Sequence, residues 1–153
     1  MDNPTSSISI ESLTAYSSLD ATMIGALLPA LSSSSTGDPI PEQRLRDIIE
    51  STHHDQIVAR RDDGKIVGIA TVSLTFGSSS GRSVWLNDFA VDASTQGSGI
   101  GSSLWDEVVA WCQEKQATKL YFTSRPSREA AQRFYLHKGA IIRDTNFFKK
   151  EIS

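Results

Sequence analysis

Trp85-Leu86-Asn87-Asp88-Phe89-Ala90-Val91-Asp92-Ala93-Ser94-Thr95-Gln96-Gly97-Ser98-Gly99-Ile100-Gly101 is the stretch that decides how this chain folds. Trp85 to Val91 is an extended, largely apolar run. Gly97 to Gly101 is a glycine turn, and a helical stretch follows from Ser102 to about Lys115. A strand, a glycine turn and a helix start, in that order, make a site for a phosphorylated ligand. The first N–H groups of a helix lack intrahelical partners, and the helix dipole adds partial positive charge there. Glycines let the backbone take positive φ and let an anion approach with no Cβ in the way.

Two common phosphate loops are excluded by their spacing. A P-loop needs a glycine directly before Lys-Ser or Lys-Thr, and here Gly64-Lys65 is followed by Ile66. A dinucleotide fingerprint needs a third glycine where this chain has Ser102, counting from Gly97, or Leu104, counting from Gly99. The turn fits another pattern: glutamine or arginine, two free positions, glycine, one free position, then glycine or alanine. Gln96-Gly97-Ser98-Gly99-Ile100-Gly101 matches it, five residues after the strand-end Val91. A second segment follows at a suitable distance. Lys119 to Thr123 has the character of a strand, and Ser124 to Ala140 that of a turn, a helix containing Phe134-Tyr135, and a glycine C-cap at Gly139.

In order and spacing, these two motifs resemble the signatures of the GNAT superfamily of acyl-CoA-dependent N-acyltransferases. The resemblance covers roughly Ile57 to Lys150, and residues 1–56 match it only in their strand-helix-helix order. It implies an α/β (α+β) fold with a mixed, mostly antiparallel central sheet flanked by about four helices. One such domain is expected over residues 1–153.

Composition agrees with that expectation. At 153 residues a single core can bury roughly two-thirds of the unfolded chain's surface. Hydrophobic content of 39% and 22% charged residues are ordinary for a globular protein. A net charge of −3 and a pI near 5.6 argue against a nucleic-acid partner, which usually selects a basic surface. Cys112 is the only cysteine, so no internal disulfide can form and a reducing cytoplasm is the expected location. Neither a signal-peptide pattern nor an apolar run near the ~20 residues of a membrane span is present, so no membrane partner is expected.

Along the chain, Ser7 to Leu13 alternates with period two, as a half-buried strand does. Leu19 to Leu31 has helical spacing, ended or bent by Pro29, and Ser32 to Pro39 is expected to be a mobile loop or lid. A second helix is expected over Pro41–Glu50. Strands are expected over Gln56–Arg61 and Ile66–Phe76, joined by a hairpin turn at Asp62–Lys65. Gly77–Gly81 is a second flexible loop, and a final strand pair is expected over Ala140–Arg143 and Asn146–Glu151. His53-His54 is a doublet without the i,i+4 spacing of helical metal ligands, so it is assigned to a solvated loop and no metal site is expected. Cys112, Trp105 and Trp111 are expected to be packing residues.

The resemblance implies roles for particular residues. Acetyl-CoA would be the cosubstrate, its pyrophosphate held by Gln96, Gly97, Ser98, Gly99, Ile100, Gly101 and Ser102. Its pantetheine arm would lie along the strand edge at Phe89, Ala90 and Val91, where a backbone N–H can polarise the thioester carbonyl. Tyr135 would protonate the leaving thiolate; simple core packing is the alternative for an aromatic pair at a helix end. Asp88 would bind the acceptor ammonium and help deprotonate it, as an acid does in some amino-sugar acetyltransferases of the superfamily. A structural aspartate is the alternative. Alternation places Asp88 and Ala90 on one face of the strand and Asn87, Phe89 and Val91 on the other. Arg128 stands seven residues before Tyr135, where the family often uses asparagine for a cofactor contact; a solvated arginine is the alternative. The loop from Asp92 to Ser103 carries no Lys or Arg, so Arg125 and Arg128 are the nearest cations in motif order.

The expected reaction is direct acetyl transfer to a primary amine, with proximity supplying most of the advantage. The acceptor is expected to be a small molecule, with a peptide or protein amine (an N-terminus or a lysine) as the next choice. A non-catalytic acyl-CoA-binding sensor is the competing class. The sequence is compatible with a homodimer.

Overall fold

The alternating residues Ile8 and Ile10 build the first strand, β1 (Ile8–Ser12), of a computed structural model that describes residues 7–95 and 97–153. Helix α1 (Ser18–Leu27) follows, capped by the Ser17 side chain, which accepts from the Asp20 N–H at 3.3 Å. It tightens into a 3-10 turn at Leu28–Ala30, as Pro29 requires. Then come α2 (Glu42–Ile49), β2 (His54–Arg61), β3 (Ile66–Gly77), β4 (Gly81–Val91), a 3-10 turn (Ala93–Thr95), α3 (Ile100–Glu114), β5 (Lys119–Tyr121) and α4 (Glu129–His137). The strands form one sheet in chain order, antiparallel throughout except for the parallel pair β4–β5. This is the mixed, mostly antiparallel sheet with four helices that the motifs imply.

The described residues up to Phe122 form one compact unit and residues 123–153 a second, smaller one. In the larger unit β3 is buried on both faces from Ile66 to Val72, which accounts for its nearly unbroken apolar sequence. One face packs under α1 and α2 through Val58, Ile69 and Ala90 against Ala21, Ile24 and Leu45. The other packs through Ala59 and Val67 against Ile100 at the start of α3. Arg60 of β2 ties that strand to β1 and α1. Its guanidinium donates to Glu11 at 2.6 Å, to both oxygens of the buried Asp20 at 3.1 and 3.3 Å, and to the Gly64 carbonyl at 3.1 Å.

Several boundaries differ from the sequence expectation. Strand β2 begins at His54, so only His53 precedes it; their ring nitrogens engage Ser51 and Thr52 at 2.8 and 3.0 Å. The loop Gly77–Gly81 is a tight hairpin connection, because Gly77 pairs with Gly81, which takes φ +66°. The segment after α1 turns back across that helix. Thr36 donates to Asp38 at 2.7 Å, the Ile40 N–H reaches the Ala21 carbonyl at 3.1 Å, and Asp38 crosses α1 at Gly25. A Cβ on Gly25 would stand 2.0 Å from the Asp38 carbonyl oxygen.

In the smaller unit the expected strands over 140–143 and 146–151 are absent, and Ile141, Ile142, Phe147 and Phe148 are exposed. Their apolar residues come as adjacent pairs, which a strand would send to opposite faces, so no single buried face can specify one. Helix α4 ends in a Schellman motif at Gly139, φ +93°. Ala140 N–H bonds the Tyr135 carbonyl and Gly139 N–H the Leu136 carbonyl, both at 3.0 Å. Helix α3 closes in the same way, but with Gln116 in the left-handed position at φ +57°.

Candidate active site on strand β4 and the start of helix α3

Asn87-Asp88 puts two consecutive polar residues into an apolar strand, and there β4 bulges. Thr71 stands opposite Asp88 and Val72 opposite Leu86, leaving Asn87 as the extra residue. A bulge bends the strand and redirects side chains, and such features recur beside active sites. Asn87 Nδ2 donates to Ser73 Oγ at 2.8 Å. Beyond the bulge the expected alternation holds: Ala90 joins the core beneath α1 and α2, while Val91 packs with Ala59, Val67 and Ile100. Asp88 shares the parity of Ala90 and is half-buried. Burial raises its pKa, while a hydrogen bond from the Thr71 side chain opposes that rise. A carboxylate with a raised pKa is a stronger base, which suits proton removal from an ammonium.

The far edge of β4 is paired over a short length. β5 meets β4 only at Ser83, Val84 and Trp85, opposite Lys119, Leu120 and Tyr121. Past that point Trp105 of α3 faces both segments, with its ring 6.2 Å from Phe89 and 5.7 Å from Phe122. The stretch Leu86–Val91 thus runs on from the last β5 pair toward the glycine turn.

That turn leaves its backbone open. Gly97 and Gly99 take φ +88° and +87°, and nothing stands within 4 Å of a Cβ placed on either. Gly99 is the N-cap of α3 and offers no side chain to bond the helix's first N–H groups. No acidic residue occupies the first turn to neutralise the dipole. The helix starts at Ile100, two residues earlier than expected, so Ile100, Gly101 and Ser102 are its first turn. The Ile100 side chain is core, which fixes the helix start and leaves only its backbone to meet a ligand. Gly101 lies within the helix and does not take the positive φ of a turn glycine. The Ser98 hydroxyl already donates to the Thr95 carbonyl, so its oxygen is left as an acceptor. Gln96 lies outside the described residues. The arrangement fits the pyrophosphate of a coenzyme A thioester: bare N–H groups, two left-handed glycines and no competing acid.

Sequence reasoning missed four contributors. Lys65, on the β2–β3 turn, sits 3.5 Å from Asp92 at the base of the glycine loop, bringing a cation to a segment that has none of its own. Hydrogen bonds from the Ser94 N–H and hydroxyl, with Lys65, hold Asp92 below the usual carboxylate pKa. Thr71 and Gln56 continue the row from Asp88 across β3 and β2, and Asn87 makes the bulge. Only the Asn87-Asp88 doublet left a trace in the sequence; the others meet through strand register.

In the smaller unit Tyr135 is buried and packs edge-on against Phe134, ring centroids 5.6 Å apart. Burial raises its pKa and the Arg128 charge lowers it, so the phenol holds its proton at neutral pH. Arg128 is the N-cap residue of α4 and contributes no side-chain cap. Its N–H bonds the Arg125 carbonyl at 3.0 Å. Among the described residues no group of three or more His, Cys, Asp or Glu gathers to hold a metal, and no helix is long and apolar enough to cross a membrane. Cys112 is buried, with its thiol pKa pushed up to about 11, which makes it a packing residue rather than a nucleophile.

The chain matches the acetyltransferase (GNAT) family over residues 26–140, and it belongs to that family. It is therefore an acyl-group transferase. Solved structures share the fold. An aminoglycoside acetyltransferase from an uncultured soil metagenomic sample, in complex with trehalose, is 20% identical with a TM-score of 0.80, covering 95% of this chain and 97% of its own. Aminoglycoside N-acetyltransferase AAC(6')-Iy in complex with CoA is 18% identical with a TM-score of 0.77, covering 99% of both chains. A transcriptional regulator from Bacillus halodurans is also 18% identical with a TM-score of 0.77, covering 95% of this chain and 100% of its own. No curated protein sequence matches the chain.

Proposed function

We propose that this protein transfers an acetyl group from acetyl-CoA directly to a primary amine of a small molecule. One observation carries the proposal. Strand β4 holds a half-buried carboxylate, Asp88, on a bulge, and the same strand runs on into an uncapped helix N-terminus framed by left-handed glycines. An amine-side base and an anion cradle thus lie along one strand.

The cosubstrate supplies an activated acetyl thioester; the chain's own groups do the rest. N–H groups of Gly97 and of Gly99 to Ser102 hold the pyrophosphate, with Lys65 and Asp92 bracing the loop base; the Ser98 N–H is spent on the Thr95 carbonyl. The backbone of Phe89 to Val91 orients the pantetheine arm, and an N–H there polarises the carbonyl oxygen as negative charge develops. Asp88 binds the acceptor as its ammonium and takes a proton, leaving the neutral amine as nucleophile. Tyr135, neutral at physiological pH, gives its proton to the departing sulfur, Arg128 at the N-cap of the same helix eases the resulting phenolate, and the phenolate recovers the second proton that the new amide nitrogen sheds. Arg128 also offers a charge to the cofactor's phosphates. A reducing cytoplasm suits a chain whose single cysteine is buried and unreactive.

The acceptor class draws support from neighbours described as aminoglycoside acetyltransferases, one of them solved with sisomicin and one with a CoA–acetylneamine bisubstrate analogue. A fold neighbour described as a transcriptional regulator keeps the second reading in view, a sensor that binds acyl-CoA without transfer. Thiol release from acetyl-CoA decides between them, measured with aminoglycosides, simple polyamines and peptide amines in parallel. Turnover with a small amine that is lost in Asp88→Asn supports the proposal. Coenzyme A binding with no amine-dependent thiol release supports the sensor, and preferential turnover of peptides overturns the small-molecule acceptor.

A further inference from the structure

Gln56, Thr71 and Asp88 stand directly opposite one another on β2, β3 and β4. They lie one step along the face that carries Val58, Ile69 and Ala90, beside the bulge. Gln56 is 2% exposed and Thr71 5% exposed, so solvent cannot complete their bonding. Thr71 Oγ1 donates to Gln56 Oε1 at 3.1 Å. Thr71 stands directly opposite Asp88, and its hydroxyl works against the rise in the Asp88 pKa. Gln56 Nε2, also buried, has no partner.

A threonine hydroxyl has one proton and cannot give it to two acceptors. While that proton goes to Gln56 Oε1, only a protonated Asp88 can complete the row, its O–H donating to Thr71 Oγ1. An ionised Asp88 needs the Thr71 proton instead. Rotating the Gln56 amide by half a turn makes this possible with no change of shape: Nε2–H then donates to Thr71 Oγ1, and Thr71 O–H donates to the carboxylate. The unpartnered Nε2 of the first arrangement gains an acceptor in the second. An unsatisfied buried N–H is costly, and a bare amide oxygen is the better tolerated of the two.

We infer that Gln56 and Thr71 are positioning residues for Asp88, forming a buried hydrogen-bond row that reverses direction by rotation of the Gln56 amide as Asp88 gains or loses its proton. The inference rests on the proposed role of Asp88 for its place in catalysis, but not for its existence. Other charged groups on or against this face are otherwise engaged. Asp20 and Glu11 both accept from Arg60, Arg46 of α2 lies between Glu42 and Glu50, and Gln43 holds Asp47. Arg44 of α2 is exposed. His54, two positions before Gln56 on β2, is the one histidine of matching parity, and its Nδ1 meets Ser51 Oγ at 2.8 Å.

The test follows two nuclei by NMR in the ligand-free protein, on a His54→Gln background that removes the histidine of matching parity. These are the side-chain carboxyl carbon of Asp88 and the side-chain amide nitrogen of Gln56. Both signals should move with one shared midpoint. In Thr71→Val the Asp88 midpoint should rise, because the carboxylate loses its donor, and the Gln56 amide should stop following it. Thr71→Ser, which keeps the hydroxyl, should restore both behaviours. A Gln56 amide that stays flat through the Asp88 titration overturns the inference, as does an unmoved midpoint in folded Thr71→Val. Acetyl transfer measured against pH separates the two readings. If the NMR midpoint shifts while the acid limb of kcat/KM does not follow, the row stands and Asp88 is not the base.

Discussion

Replacing Gly99 by alanine separates the folding role of the glycine loop from its ligand role, because the same chain contains a matched control. Gly99 has φ +87° and Gly64, in the turn between β2 and β3, has φ +91°. At neither does an added Cβ meet an atom within 4 Å. Each substitution therefore costs only the left-handed backbone penalty of an L-residue, roughly 1–2 kcal/mol. In urea denaturation Gly99→Ala and Gly64→Ala should lose similar stability. Their coenzyme A affinities should diverge. At Gly99 the new methyl stands at the mouth of an uncapped helix, where a phosphate must come close to the first N–H groups. A tenfold weakening, about 1.4 kcal/mol, is the expected loss in calorimetry, and Gly99→Val should lose at least as much. Gly64→Ala should bind like the parent. The cradle assignment is refuted if folded Gly99→Ala also binds like the parent.

Tyr135→Phe keeps the ring against Phe134 and removes only the hydroxyl; steady-state kinetics should show kcat lower by about 10–10³-fold with acetyl-CoA affinity little changed. Asp88→Asn should abolish most turnover yet stabilise the fold at neutral pH. A carboxyl with a raised folded pKa contributes its stability below its unfolded value, near ~3.9, and loses it as pH rises through the folded value. Thermal melts should therefore favour the variant at pH 8 and converge at low pH; an equal difference at both would show that the fold does not oppose ionisation at this position. Gly25→Ala should lose about 1–3 kcal/mol or more in chemical denaturation, because its methyl meets the Asp38 carbonyl, backbone that cannot rotate aside.

Local signals made most of the larger unit legible. Alternation gave β1, the Asp-Gly turn gave the β2–β3 hairpin, and Pro29 marked where α1 tightens. Glycines between a strand and a helix marked the turn that opens α3. The bulge was less visible: Asn87-Asp88 breaks the apolar run, but whether a strand slips by one residue depends on its neighbour, here Thr71 and Val72 of β3. The row Gln56–Thr71–Asp88 and the approach of Lys65 to Asp92 are consequences of register, joining positions far apart in sequence. Nothing near Gly25 in the sequence marks that Asp38 lies across it, since that contact joins α1 to a later loop. The C-terminal residues failed for the opposite reason. Ile141-Ile142 and Phe147-Phe148 are hydrophobic and β-prone, yet paired apolar residues do not define an inner and an outer face.

Trp105 has a practical consequence. Its indole faces Phe89 on β4 and Phe122 just after β5, where the two strands have ceased to pair, and Trp85 at the last paired position lies 5.6 Å from Tyr121. Two of the three tryptophans in the chain therefore border the strand edge proposed to receive the cosubstrate. A molecule settling along that edge changes the polarity around both indoles, so the protein carries its own optical reporter of occupancy. Emission followed during a coenzyme A titration would register binding without a label, a second substrate or turnover.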